Sequence, residues 1–272
     1  SLHRNGAHAV AWRNAQARVG KAMDYGLYVS AAGADTQTQR MEVLSHNMAN
    51  VDTPGFKEEL AVLQARFSRE VRDGTDVAGS GGLNDLGSGV SMTGTVTNFS
   101  EGLLKQTQGK WDMAIHGEGF FVVDNEGEQL LTRAGNFQVD ANGQLLTQQG
   151  HPVLSAAGTP IQIDLGMHSQ LHKDGYLEHS GGGEFLALKK PQSLGDLVRV
   201  GENLFRPLGP LADVDADQRR VESGFLEISG VRPTRTMLEL IETSRMYEAN
   251  VRMIQNHDQM TGALISRILR AR

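Results

Sequence analysis

The stretch HNMANVDTPGFKEE, residues 46–59, decides how this chain is laid out. Upstream of it the pattern is that of an amphipathic helix. Within six residues, Asn50, Asp52, Pro54 and Gly55 then supply four turn formers. Pro54 disfavours helical geometry at Thr53. Asn47 and Asn50 tolerate the left-handed conformation in which helices end. Asn50, Thr53, Pro54, Gly55 and Phe56 are therefore read as a helix-stop turn, with Phe56 as its apolar anchor. Beyond it, Phe56, Leu60, Leu63 and Phe67 recur at helical spacing, which predicts a second helix over 56–72.

Upstream of the stop, positions alternating by four and three are Met23, Leu27, Ser30, Ala34, Gln37, Met41, Leu44 and Met48, and six of these eight are apolar. Such a seam is narrower than the core face of a globular helix. The same spacing returns at the far end of the chain. Leu240, Ser244, Tyr247, Val251, Ile254, Asp258, Thr261, Ile265 and Ile268 form a stripe, apolar at six of nine positions. A helix over 235–269 would be about 50 Å long. Two long helices with narrow seams predict coiled-coil packing on each other, on neighbouring copies, or both. The expected interface residues are Leu27, Ala34, Met41, Leu44 and Met48 with Leu240, Tyr247, Val251, Ile254 and Ile265.

Between the helices the chain changes twice. Residues 73–110 are rich in Gly, Ser and Thr and read as an extended arm. From 111 to 230 the pattern is β. GFFVVD is an apolar run of strand length, followed by a turn at Asn125-Glu126-Gly127. Short strands and turns then alternate, one of them at Asn142-Gly143. The expected architecture is α+β in several parts. Terminal helices, 23–72 and 231–272, form a coiled-coil-like stalk, 73–110 an arm, and 111–230 an all-β module. Residues 1–22 carry four basic residues and no acid, and lack the apolar stretch of a secretory signal. They read as an extension ahead of a natural start at Met23.

The net charge of −6 is uneven: +4 over 1–22, +3 over 231–272, and hence −13 between. An acidic chain of this kind is not a general nucleic-acid binder. There is no cysteine, which excludes thiol catalysis, disulfides and zinc–thiolate sites. No run of eighteen apolar residues is present to span a membrane.

Catalytic motifs are scarce. Asp52-Thr53-Pro54-Gly55 superficially resembles an aspartic-protease triplet, but Pro54 interrupts it and no partner loop is evident. Gly117-Glu118-Gly119 precedes a strand instead of opening a helix, so it fails the context of a dinucleotide site. His168, His172 and His179 lie near Asp174 and Glu178, but Gly166 and Gly175 mark loops there, not a metal-binding helix. No catalytic, cofactor or metal residue is assigned.

Three segments in order carry a resemblance. LSHNMANVDTPGFK (44–57), HGEGFFVVDNEGEQLLTRAGNFQVDANGQLLTQQGHPVL (116–154) and ESGFLEISGVRPTRTMLELIETSRMYEANVRMIQNHDQM (222–260) resemble the signatures of bacterial flagellar rod and hook proteins. The start MDYGLYVSAAGA and the 250 residues from Met23 look most like the proximal rod protein. Gly230 stands where many members have Asn. The resemblance implies a non-enzymatic axial subunit of the basal body. It would pass unfolded through the flagellar type III export apparatus without a cleaved signal and polymerise into a helical tube across the periplasm. Its partners would be copies of itself and other rod and hook proteins. The stop turn would then redirect the chain from an inner tube outward to the β module. Gly55→Val is expected to block assembly and spare that module. A soluble β-domain binding protein or hydrolase with a helical dimerisation hairpin is the competing reading.

Overall fold

The computed structural model describes residues 3–67, 71, 73–74, 89–164, 169–179, 182–201 and 203–270, with side chains in the first helix from residue 25 onward. The chain divides into two compact units. One contains residues 1–46, 60–96 and 234–272, and the other 47–59 and 97–233.

The first unit is built on two helices, α1 (His3–Ala49) and α2 (Pro233–Arg270). They run antiparallel. A Cβ on Gly26 would lie 2.9 Å from the His257 ring, and one on Gly33 would lie 3.0 Å from the Asn250 amide. Glycine at both positions, one heptad apart, lets the backbones approach. Further along, Arg40 reaches Glu239 at 3.9 Å. On α1 the buried residues between 25 and 46 are Ser30, Ala34, Thr36, Val43 and Leu44, and on α2 they are Thr236 and Thr243.

Where apolar spacing predicts a second helix over 56–72, the chain instead forms a strand, Glu59–Ala65, paired with Val90–Thr97. The cause is a clamp from outside the segment. The Asn47 side chain donates to the Glu59 carbonyl at 2.7 Å and accepts from the Glu59 amide at 2.9 Å. This amide imitates a ladder residue and starts the extended backbone. The Arg66 amide bonds the Gly89 carbonyl at 2.8 Å, closing the ribbon. Leu60, Val62, Leu63 and Phe67 lie exposed along it. The residues read as an arm, 73–110, thus hold two strands, Val90–Thr97 and Leu104–Gln106. Residues 75–88 lie outside the described residues.

The second unit centres on a six-stranded antiparallel sheet. Its order is Leu197–Val200, Leu204–Pro207, Glu128–Thr132, Phe120–Asn125, Leu188–Pro191 and Leu211–Asp213. The run Phe120-Phe121-Val122-Val123 is continuously apolar because both faces of its strand are covered. Phe121 and Val123 join one core with Met113, Leu130 and Leu145, while Phe120 and Val122 join another with Leu131 and Phe205. Two short strands, Met113–Ile115 and Leu104–Gln106, pair with Val221–Ser223 and Phe225–Glu227 and bring the end of the unit back to its beginning.

Asn47→Ala removes both bonds to Glu59 at a buried position. It is expected to destabilise the second unit by about 2 kcal/mol, read as a lower urea midpoint by circular dichroism.

Candidate functional site

The helix stop forms where the sequence places it. α1 ends at Ala49, and the amides of Asn50, Val51 and Thr53 bond the carbonyls of Asn47, Met48 and Asn50. The Thr53 hydroxyl donates to the Asn50 side-chain oxygen at 3.1 Å. Pro54 is half-buried, and Gly55 takes a left-handed φ of 68°. A Cβ on Gly55 would lie 2.3 Å from the Ala134 nitrogen. Only glycine meets both demands. This contact lies inside the second unit. A valine at Gly55 therefore strikes the folded module itself, contrary to the expectation that the module would be spared.

Around this turn the structure gathers residues that periodicity did not reveal. Phe56 is fully buried, and the Arg199 guanidinium stacks on its ring at 4.6 Å. Arg199 also donates to the Lys57 carbonyl and lies 2.8 Å from the Glu59 carboxylate. Lys57, 1% exposed, turns inward and meets Glu227 at 2.6 Å. Its ammonium also donates to the Ser100 carbonyl at 2.8 Å. The other Glu227 oxygen lies 3.4 Å from Arg133, and the Gly102 amide donates to Glu227 at 2.7 Å. Arg133 further donates to the Gly117 carbonyl at 2.6 Å. Backbone bonds close the junction: Gly55 donates to the Glu227 carbonyl at 2.8 Å, and Gly230 to the Phe56 carbonyl at 2.9 Å.

This is one carboxylate between two cations, all buried. Burial pushes the Lys57 pKa below its ordinary 10.5, partly offset by attraction to Glu227. Burial likewise lowers Arg133, with Glu227 and Glu101 opposing it. The arrangement holds chain segments together and offers no nucleophile and base within reach of each other. One signal was available in the sequence: Glu227 is a lone acid in the apolar run Phe-Leu-Glu-Ile, and a buried charge requires a partner.

The other sequence candidates lie elsewhere. Of the expected helix-interface residues, Ala34 and Leu44 are buried, while Met41, Met48, Leu240, Val251 and Ile254 are half-buried. Leu27, Tyr247 and Ile265 are exposed. Of the α1 seam, Ser30, Ala34 and Leu44 are buried, and the closest approach of the other helix falls beside the seam, at Gly26 and Gly33. His172 lies 2.9 Å from Glu178 on the surface, and His179 ends the Tyr176–His179 strand. His168 lies outside the described residues. No group of three or more metal-ligating side chains occurs among the described residues.

The three segments that meet at Glu227 are those that match known proteins. Residues 27–57 match the family described as flagella basal body rod protein. Residues 114–178 match the flagellar hook protein FlgE/F/G D1 domain, and 222–267 the flagellar basal body rod FlgEFG protein C-terminal. Over 250 residues the chain is 31% identical to the flagellar basal-body rod protein FlgF of Caulobacter vibrioides, covering 90% of this chain and 98% of that protein. The chain belongs to the flagellar basal-body rod protein family. It is also 32% identical to the rod protein FlgG of Buchnera aphidicola subsp. Schizaphis graminum, over 86% of this chain and 96% of the relative. Against FlgF of Salmonella typhimurium it is 30% identical, over 88% and 96%.

In this rod-family chain, Lys57, Arg133 and Glu227 each fall within one of the three quoted signature segments. Losing Glu227 leaves two buried cations facing each other, whereas losing Lys57 leaves a balanced pair. Glu227→Leu is therefore expected to cost at least 3–5 kcal/mol (roughly), and Lys57→Met about 1–3 kcal/mol, by urea unfolding. Equal costs would contradict the one-anion, two-cation account. The lowered Lys57 pKa also sets a pH dependence. Between that pKa and 10.5 the unfolded chain holds a proton that the folded chain has released. The stability of the native chain relative to Lys57→Met should therefore rise with pH through this window and level off above it.

Proposed function

We propose that this chain is a structural axial subunit of the bacterial flagellar basal-body rod, polymerising through its terminal helices into a helical tube. The observation that carries the reading is the convergence of three rod-family segments on one buried junction, in a chain matched over nearly the whole length of its relatives. The two helices supply the material for polymerisation. After α1 and α2 pair, apolar side chains remain uncovered on both. Leu27, Tyr247 and Ile265 are among them, and so are Met246, Met253 and Met260, which recur at heptad spacing and are each about half exposed. Repeating contacts that do not close on themselves build a filament, and a second stripe on an already paired helix provides such a contact. In this reading Leu27, Ala34, Met41, Leu44 and Met48 with Leu240, Tyr247, Val251, Ile254 and Ile265 form the stalk. The turn Asn50–Phe56 hands the chain from stalk to β module.

The partners are copies of this chain and other rod and hook proteins. Its place is the periplasmic rod, reached through the type III export apparatus without a cleaved signal peptide. The segment MDYGLYVSAAGA, residues 23–34, favours the proximal rod. No helix among the described residues is long and apolar enough to cross a membrane. The hydrolase and adaptor readings are not favoured by membership in a family of rod proteins.

Epitope-tagged chain expressed in its source bacterium is expected to co-purify with isolated hook–basal bodies. Intact basal bodies that lack the tagged chain would overturn the proposal.

A further inference from the structure

The junction is expensive for what it holds. Three buried charges, two of them positive, and a buried Arg133 Nε without a hydrogen-bond partner are a poor route to stability. Apolar side chains of similar volume often serve at least as well. What charges supply instead is discrimination between arrangements. The strands joined here are short enough to need it. Phe225–Glu227 pairs with Leu104–Gln106 over only three residues, Phe225 opposite Gln106 and Glu227 opposite Leu104. Outside those strands, Thr107 bonds Gly224 at 2.7 Å and Ile228 bonds Leu103 at 2.9 Å. A slip by two residues, absorbed at Gly224 between this strand and the Val221–Ser223 strand, would preserve the inward and outward faces, so the apolar pattern alone resists it weakly.

We propose that the buried Lys57–Glu227–Arg133 triad is a register pin, which fixes the pairing of the Phe225–Glu227 strand and makes docking of the two chain-end segments one all-or-none event. A two-residue slip puts Phe225 or Ser229 in the place of Glu227. Lys57 and Arg133 are then buried with no anion, and the Gly102 amide loses its acceptor. The same slip breaks the bonds from Gly55 to Glu227 and from Gly230 to Phe56, because both depend on the same register. The segment carrying Lys57 and the segment carrying Glu227 are 170 residues apart in sequence, and each completes the other's charge. Four residues after Glu227 comes Val231, and α2 begins at Pro233, so a slip would also add or remove residues just ahead of that helix.

The absence of native cysteine allows a direct test in the full chain. One variant carries Phe225→Cys with Gln106→Cys and reports the native register. A second and a third carry Phe225→Cys with Gln108→Cys or with Leu104→Cys and report the two slipped registers. With the triad intact, only the native pair should oxidise to a disulfide. With Lys57→Met, Arg133→Met and Glu227→Leu added, the urea midpoint should stay level or rise while the yield of a slipped disulfide rises at least about tenfold, a discrimination of about 1.4 kcal/mol. Glu227→Gln preserves shape and, if the triple variant does not fold, is read by the yield of the slipped disulfides alone, its midpoint being expected to fall. Exclusive native pairing in a folded variant without the charges overturns the proposal. So does slipped pairing with the triad intact. Neither outcome bears on whether the chain enters the basal body.

Discussion

The Glu227 carboxylate is the point on which the second unit closes. It receives a lysine from the segment just past α1 and an arginine from the central sheet, and its own strand leads into α2. Each group would be costly to bury alone. Together they leave every oxygen of the carboxylate engaged, and the backbone bonds at Gly55 and Gly230 follow from the same placement. Lys57, Arg133 and Glu227, from three segments far apart in sequence, thus meet at one site in space, and altering Glu227 leaves the charges of the other two unmatched.

Much of the plan was legible from periodicity. The three-four stripes located both long helices, the turn formers located the end of α1, and the run GFFVVD marked a strand covered on both faces. Residues 56–72 misled for a definite reason. Leu60, Leu63 and Phe67 have helical spacing, but the Asn47 side chain clamps both backbone groups of Glu59 and commits the chain to a strand. A contact across twelve residues has no local period. The close approach of the two helices was hidden in a related way: apolar spacing marks Leu27, Ala34 and Met41, while the other helix comes closest at Gly26 and Gly33.

Lys57, Arg133 and Arg199 illustrate the other limit. Basic residues in a sequence are read as solvated by default, and burial becomes credible only when a partner is identified. Arg199 has no local motif, yet its guanidinium covers Phe56 at 4.6 Å and Phe205 at 5.3 Å. Its planar face and fixed donors suit it to both tasks, which a lysine could not perform together.

The two units solve opposite problems. The second pairs its buried Glu227 with Lys57 and Arg133 and covers both faces of its central strands from within the chain. The first pairs its helices through small and polar residues, among them Gly33, Thr243 and Asn250, and leaves methionines and leucines at the surface. A helix pair of that composition gains little from its own contact to offset the ordering of its residues, and the apolar area it leaves exposed is what neighbouring chains can bury. The proposed assembly would use both kinds of unit: one whose core closes within the chain, and one whose apolar surface is left for neighbours.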